Sequence, residues 1–454
     1  MPLNTKERWG LLALVALNVV LKCCWLGVNE LAHDEPFTVY WSQRPWSALW
    51  AMFASENNPP LYFLLIKAWS AFTPFEVAWL RVPSAFFSAL TVWPLFLLTR
   101  KLVDTRAAVL ASLLFTFSNY HFGFAHEVRG YSLFALLAAA SMWALVNAGH
   151  KRSTGWLAVF NVLLVYTHFF GWLLIGVQLL VVLLPELRTR RKTYFTALGL
   201  TVIAYIPYAF VFAQRLGQSV AQGTWLTPPV PEELYNMIWR WSNAPVLAVV
   251  FLVVVLAACI KDHVRSFGIR LGLIWTFVPL LGMFAVSFSV PIFLDRYLVY
   301  AAPGFAVLVA TSTILLSPVG RGRNLVAIAP SVAMLLTFTP WKAGQYRPSR
   351  VVAQANVWCA SGCTHHVWPP WYHLTYSSAL RLDELKEDQD AYLHFDINAA
   401  GVLTHDPTRP TIVVDASGKS ASADQQWYRT LRQVYPQLDS VQADHKVWVY
   451  RFRQ

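Results

Sequence analysis

The sequence predicts a mainly α, polytopic membrane protein: about eleven transmembrane helices with juxtamembrane helices on the outer face, then a small C-terminal α/β extracytoplasmic domain. Three observations carry this reading. Of 454 residues, 56% are hydrophobic and only 13% charged, with mean hydropathy +0.43 and 21 Trp, a composition no soluble surface tolerates. Apolar runs long enough to cross a core of about 30 Å recur as far as residue 340. Beyond Pro340 those runs stop and charges become frequent, so the chain divides into 1–340 and 341–454. The net charge of +12 does not require nucleic acid, because basic cytoplasmic loops and a basic tail account for it.

Trp9 to Val28 is the first apolar run, preceded by Lys6 and Arg8 and followed by no small-x-small cleavage site, which reads as a retained signal anchor with its N-terminus inside. Further spans are expected at 81–99, 106–120, 131–148, 154–168, 171–186, 193–213, 243–260, 271–289, 297–316 and 324–340. This arrangement puts sixteen Lys and Arg in the inner segments and seven in the outer loops up to residue 340. That is the excess short cytoplasmic loops carry. An odd number of spans leaves the tail outside. Pro59 to Phe72, short and interrupted by Lys67, is expected to lie on the outer leaflet, as is Trp46 to Ala54. Residues 214–242, rich in Gln, Thr and Pro with Trp225, Trp239 and Trp241, read either as a lid or as interfacial anchoring.

Given that topology, polar residues that are not anchors gather on the outer face: His33, Asp34 and Glu35 after the first span; Asn58; Arg81; Glu127, Arg129 and Tyr131; His168; and Asp295, Arg296 and Tyr297. Adjacent carboxylates at the end of a hydrocarbon segment are costly unless solvated or used. Both signs of charge arriving from remote segments suit a site that handles an anion and a proton together. A carboxylate can take a proton from a hydroxyl or amine as it attacks a sugar carbon, and Arg can hold a departing phosphate bidentately. Blander readings stand beside these. Arg81 can snorkel at a helix start, His168 can be a hydrogen-bonded turn histidine, and Glu127–Arg129 or Asp295–Arg296 can be plain ion pairs.

The runs His33-Asp34-Glu35-Pro36-Phe37-Thr38, Asn58-Pro59-Pro60-Leu61-Tyr62-Phe63, Leu80-Arg81-Val82-Pro83-Ser84, Glu127-Val128-Arg129-Gly130-Tyr131 and Arg296-Tyr297-Leu298 resemble, in order and spacing, the family-39-type GT-C membrane glycosyltransferases. These are relatives of the protein O-mannosyltransferases and the lipid A aminoarabinose transferases. The resemblance implies a polyprenyl-phosphate-linked sugar as donor, transferred at the extracytoplasmic face to a glycolipid, glycan or protein acceptor. Asp34 matches the family's base, with Glu35 assisting, and Arg129 and Arg296 match positions near the lipid phosphate. The sequence departs at Asn58, where the family often carries His or Lys. Either Arg129, Arg296 or Lys67 then supplies the missing charge, or this member is altered in donor or activity.

In the tail, 391–395, 411–415 and 446–451 read as strands and 380–388 and 424–435 as helices. Cys359 and Cys363 are candidates for a disulfide, and zinc with His365 and His366 is an alternative that no fourth-ligand spacing supports. No metal-ligand set is assigned, and a divalent-cation requirement is left open. The reading is a lipid-linked-sugar glycosyltransferase of the cytoplasmic membrane. A lipid-linked glycan transporter, which would show internal repeats, is the alternative from another class, and a catalytically silent scaffold the third.

Overall fold

The computed structural model describes residues 3–56, 58–147, 151–222, 226–261, 263–317, 322–340, 346–359, 362–369, 372–386, 408–422 and 424–454. Helices come first: α1 (Thr5–Cys23), α2 (Glu35–Gln43), α3 (Trp46–Ser55), α4 (Pro60–Ser70), α5 (Val77–Leu90), α6 (Val92–Leu102), α7 (Thr105–Thr116), α8 (Asn119–Ala125) and α9 (Tyr131–Asn147). They continue with α10 (Lys151–Thr167), α11 (Gly171–Val182), α12 (Arg191–Gln222), α13 (Glu232–Ser242), α14 (Pro245–Ile260), α15 (Phe267–Val286), α16 (Ala302–Leu316) and α17 (Gly322–Leu336). The tail adds α18 (Pro348–Trp358), β1 (Thr364–Trp368), α19 (His373–Leu380), β2 (Thr411–Asp415), α20 (Gln426–Val434), β3 (Gln437–Asp444) and β4 (Val447–Arg453).

Among the described residues, three helical segments are long and apolar enough to cross a membrane, Val77–Leu102, Pro185–Gln218 and Phe267–Val286, and the α13–α14 pair, bent by 95°, makes up to four. Five shorter apolar helices accompany them. Their positions follow the apolar runs of the sequence closely. The bend falls at Asn243, whose φ of 65° breaks the helix and whose side chain bonds the Phe117 and Met334 carbonyls and the Asn119 amide.

The chain forms two units. The first comprises Met1–Cys24, Trp50–Leu65 and Arg81–Pro340. With little hydrophobic drive between helices in lipid, its packing rests on close backbone approach and on polar pairs. A Cβ on Gly304 would stand 2.7 Å from the Trp275 ring, so only glycine lets α16 press onto α15 there. Asn161 and Gln178 exchange two side-chain bonds of 3.0 Å, and Gln178 also donates to Ser141. Asn18 in α1 donates to Thr116 in α7 at 2.8 Å. At the far end of α1, a capping box on Asn4 and Glu7 is joined to Arg100 of α6 at 2.8 Å.

The second unit comprises Trp25–Leu49, Ile66–Leu80 and Trp341–Gln454. Its sheet has the order β1-β2-β4-β3, with β1 parallel to β2 and the other pairs antiparallel. Strand β2 is buried at every position, as its unbroken apolar run requires. Ile412 and Val414 pack on one face with Val351, Ala355 and Tyr376, while Val413 packs on the other with Trp427, Leu431 and Phe452. Cys359 and Cys363 are joined as a disulfide between α18 and β1, which takes both thiols out of any zinc set. The expected strand at 391–395 lies outside the described residues, as does the end of the expected helix at 380–388, whose described part is only a short 3-10 turn, Leu382–Leu385.

Candidate active site

In the first unit the cations assemble around one histidine. His168 sits in the turn between α10 and α11, its Nδ1 accepting from the Phe170 amide at 3.2 Å. Its ring stacks on Phe134 with centroids 4.9 Å apart and meets the edge of Tyr297 at 5.5 Å, with Tyr131 at 6.2 Å. The guanidiniums of Arg129 and Arg296 both lie close enough to act on that ring electrostatically. Each also sits over its neighbouring tyrosine, Arg129 over Tyr131 at 5.7 Å and Arg296 over Tyr297 at 5.8 Å. Two cations and two phenol rings thus border one half-buried imidazole.

Local sequence explains why the Arg129 turn can come this close. A Cβ on Gly130 would meet Tyr62 and Thr167 at 3.3 Å, a contact tight enough that glycine lets the chain pass between them without displacing either. The turn is then held by Ser84, whose hydroxyl donates to the Arg129 carbonyl at 3.2 Å and is 2.6 Å from the Tyr62 hydroxyl. Arg129 Nη2 donates to Asn58 Oδ1 at 3.2 Å. Arg296 is fixed through its backbone, which donates to Asp295 Oδ1 at 2.7 Å, while Asp295 Oδ2 pairs with Arg240 of α13 at 3.0 Å. Asp295 is therefore bonded to the Arg296 main chain, and its ion pair is with Arg240, which no sequence motif marks.

Glu127 lies one turn away, its carbonyl taking the Arg129 amide at 2.8 Å. Arg81 is buried at the start of α5. His126 Nε2 donates to the Lys22 carbonyl, 3.0 Å away. Burial first, then the charges of Lys22 and Arg81, push its pKa down to about 4, so it stays neutral near neutral pH. None of these residues lines the cavity among α7, α13, α14, α16 and α17, which apart from Ser118 and His121 has an apolar lining that includes Phe115, Trp241 and Phe305.

The acidic pair belongs to the second unit and divides into two environments. Glu35 is buried, its Oε2 accepting the Ala32 amide at 3.2 Å. Asp34 is half-buried at the N-cap of α2 and makes no side-chain cap bond, while its carbonyl accepts from Thr38. His33, at φ 54°, is exposed and lies edge-on to Tyr346 at 4.3 Å. Lys67 donates to the carbonyls of Arg44 at 2.7 Å and Ser42 at 3.3 Å, closing the end of α2, and lies over Trp46. Burial, then the neighbouring Arg44, lower its pKa.

Residues 57–211, about a third of the chain, match the family model of dolichyl-phosphate-mannose-protein mannosyltransferases. The structure is similar to that of ArnT from Cupriavidus metallidurans bound to undecaprenyl phosphate, with TM-score 0.63 and 13% identity over 97% of each chain. The apo state of that protein gives 0.62 and 14%, over 99% of this chain and 98% of that one. The archaeal oligosaccharyltransferase AglB from Archaeoglobus fulgidus, in complex with an inhibitory peptide and a dolichol-phosphate, gives 0.54 and 11%, over 91% of this chain and 70% of that one. No curated protein matches the sequence. The motif resemblance and these matches agree on the fold: it is a multi-pass GT-C fold similar to that of ArnT, and part of the chain matches a protein-mannosyltransferase family model.

Proposed function

Starting from that shared fold, we propose that the protein transfers a sugar from a polyprenyl-phosphate-linked donor to a glycolipid, glycan or protein acceptor at the extracytoplasmic face. The observation that carries this is the grouping of Arg129, Asn58, Arg296 and two tyrosines about His168. Two fixed guanidiniums suit the anion a polyprenyl phosphate leaves behind, and aromatic rings beside them suit a sugar face or an isoprenoid chain.

Asp34 acts as the base, taking the proton of the acceptor hydroxyl or amine as that group attacks the anomeric carbon. The bond from that carbon to the phosphate oxygen breaks, and the charge of the departing polyprenyl phosphate rests on Arg129 and Arg296. Glu35, buried against the Ala32 amide, holds the loop that presents Asp34. Lys67 is committed to the end of α2, so its ammonium stabilises that helix and contributes to phosphate binding only through its charge. In this reading the membrane is the cytoplasmic one, crossed eleven times with the N-terminus inside, and residues 341–454 form an outer domain that bears on acceptor choice.

The test is incubation of the purified protein with a panel of polyprenyl-phosphate sugars. One of them is expected to lose its glycan to an acceptor or, slowly, to water. If every donor survives intact with all three acceptor classes present, the proposal fails.

A further inference from the structure

Asn58 stands where relatives by motif often carry a cation. A charge attracts a phosphate from any direction, whereas an amide is useful only if its N–H groups are aimed. Asn58 Oδ1 is turned to Arg129 Nη2, which leaves the amide nitrogen directed away from the guanidinium. Something must hold it so.

α12 is 32 residues long, about 48 Å at the usual rise, and so outruns a hydrocarbon core of about 30 Å. Tyr208, buried on that helix, packs its ring among Tyr166, Tyr205 and Phe169 at 5.8 to 6.1 Å. Its hydroxyl lies 3.2 Å from the Phe53 carbonyl and 3.4 Å from the Asn58 carbonyl, bridging the two ends of the turn from α3 to α4. A second tie runs between the same helix and the same turn: Arg215 bears electrostatically on Glu56, offsetting the rise in its pKa that burial causes.

We infer that Tyr208 is a positioning residue of the donor-phosphate subsite, acting through Asn58. The hydroxyl fixes the Asn58 main chain, the main chain aims the amide, and the amide both orients Arg129 and offers its own N–H groups to the phosphate. This rests on the function proposed above. Phenylalanine at 208 keeps the ring packing and removes only the bridge.

The experiment is a double-mutant cycle on the full chain in lipid nanodiscs, with undecaprenyl phosphate as the probe and its dissociation constant as the readout. Tyr208→Phe is expected to weaken binding about fivefold with the thermal midpoint little changed. Asn58→Ala should weaken it at least as much, and the double variant no more than Asn58→Ala alone. Wild-type binding by Tyr208→Phe, or a double variant that shows the product of the two single losses, overturns the inference. An Arg129→Ala arm separates the two levels. If it loses affinity while Tyr208→Phe does not, only the role of Tyr208 falls; if Arg129→Ala and Asn58→Ala both bind as wild type, the donor reading falls and the inference with it.

Discussion

At the scale of single residues, Arg129 and Arg296 do different jobs in the same cluster. Arg129 donates to Asn58 and lies over Tyr131, whereas Arg296 lies over Tyr297 and its main chain donates to Asp295. Removing either guanidinium removes a charge-assisted contact of about 1.5–3 kcal/mol, so Arg129→Ala and Arg296→Ala should each raise the donor KM about 10- to 100-fold. Steady-state kinetics against donor concentration checks this, and unchanged KM in both variants removes the phosphate clamp. Arg240→Ala acts one step away. With its ion-pair partner gone, Asp295 is less firmly placed, and a smaller rise of about two- to fivefold is expected at moderate ionic strength, since the pair is partly exposed. Much of this cluster was legible in the sequence, because Glu-Val-Arg-Gly-Tyr and Asp-Arg-Tyr stand out among apolar runs. Tyr208 was not, since a tyrosine in an apolar helix resembles any interfacial anchor and only its two carbonyl partners distinguish it.

At the scale of elements, helices α1, α5 to α7, α9 to α12 and α14 to α17 lie where continuous apolar runs predict them, because in lipid a backbone must satisfy its own hydrogen bonds, whereas α8 and α13 lie outside those runs, α13 as a helix within the polar 214–242 segment. The tail gave less away. β2 and β4 are apolar and were readable, whereas β1 carries two histidines and β3 is Gln-Leu-Asp-Ser-Val-Gln-Ala-Asp, an exposed edge strand whose pairing with β4 supplies what its sequence lacks. The histidines have a consequence. Burial first, and then a neighbouring histidine in each case, push the pKa of His365 and His373 down from 6.5 to about 4. Both are neutral in the folded state where the unfolded chain would be protonated, so stability is fully present above about pH 6.5 and falls as pH drops from there toward 4. Hydrogen exchange of the β2 amides, corrected for intrinsic rates, should show protection lost between pH 7 and pH 5 and partly restored in His365→Phe. Equal protection at both pH values contradicts it. In the helical unit, Gly304→Ala places a methyl inside the Trp275 ring contact and should cost about 1–3 kcal/mol, read as a lower thermal midpoint in detergent.

At the scale of the whole molecule, the proposal is an enzyme that draws its donor from the membrane and performs its chemistry beyond the outer leaflet. The eleven-span arrangement predicts that a cysteine placed at Asp104 is labelled only from the cytoplasmic side and one at Ser420 only from outside; the reverse at 104 would mean that Pro59 to Phe72 crosses. The most direct measurement is release of polyprenyl phosphate from the lipid-linked sugar by purified wild type and by Asp34→Asn. The account predicts that the variant binds donor normally and loses turnover by about 100-fold or more; wild-type turnover in Asp34→Asn contradicts it.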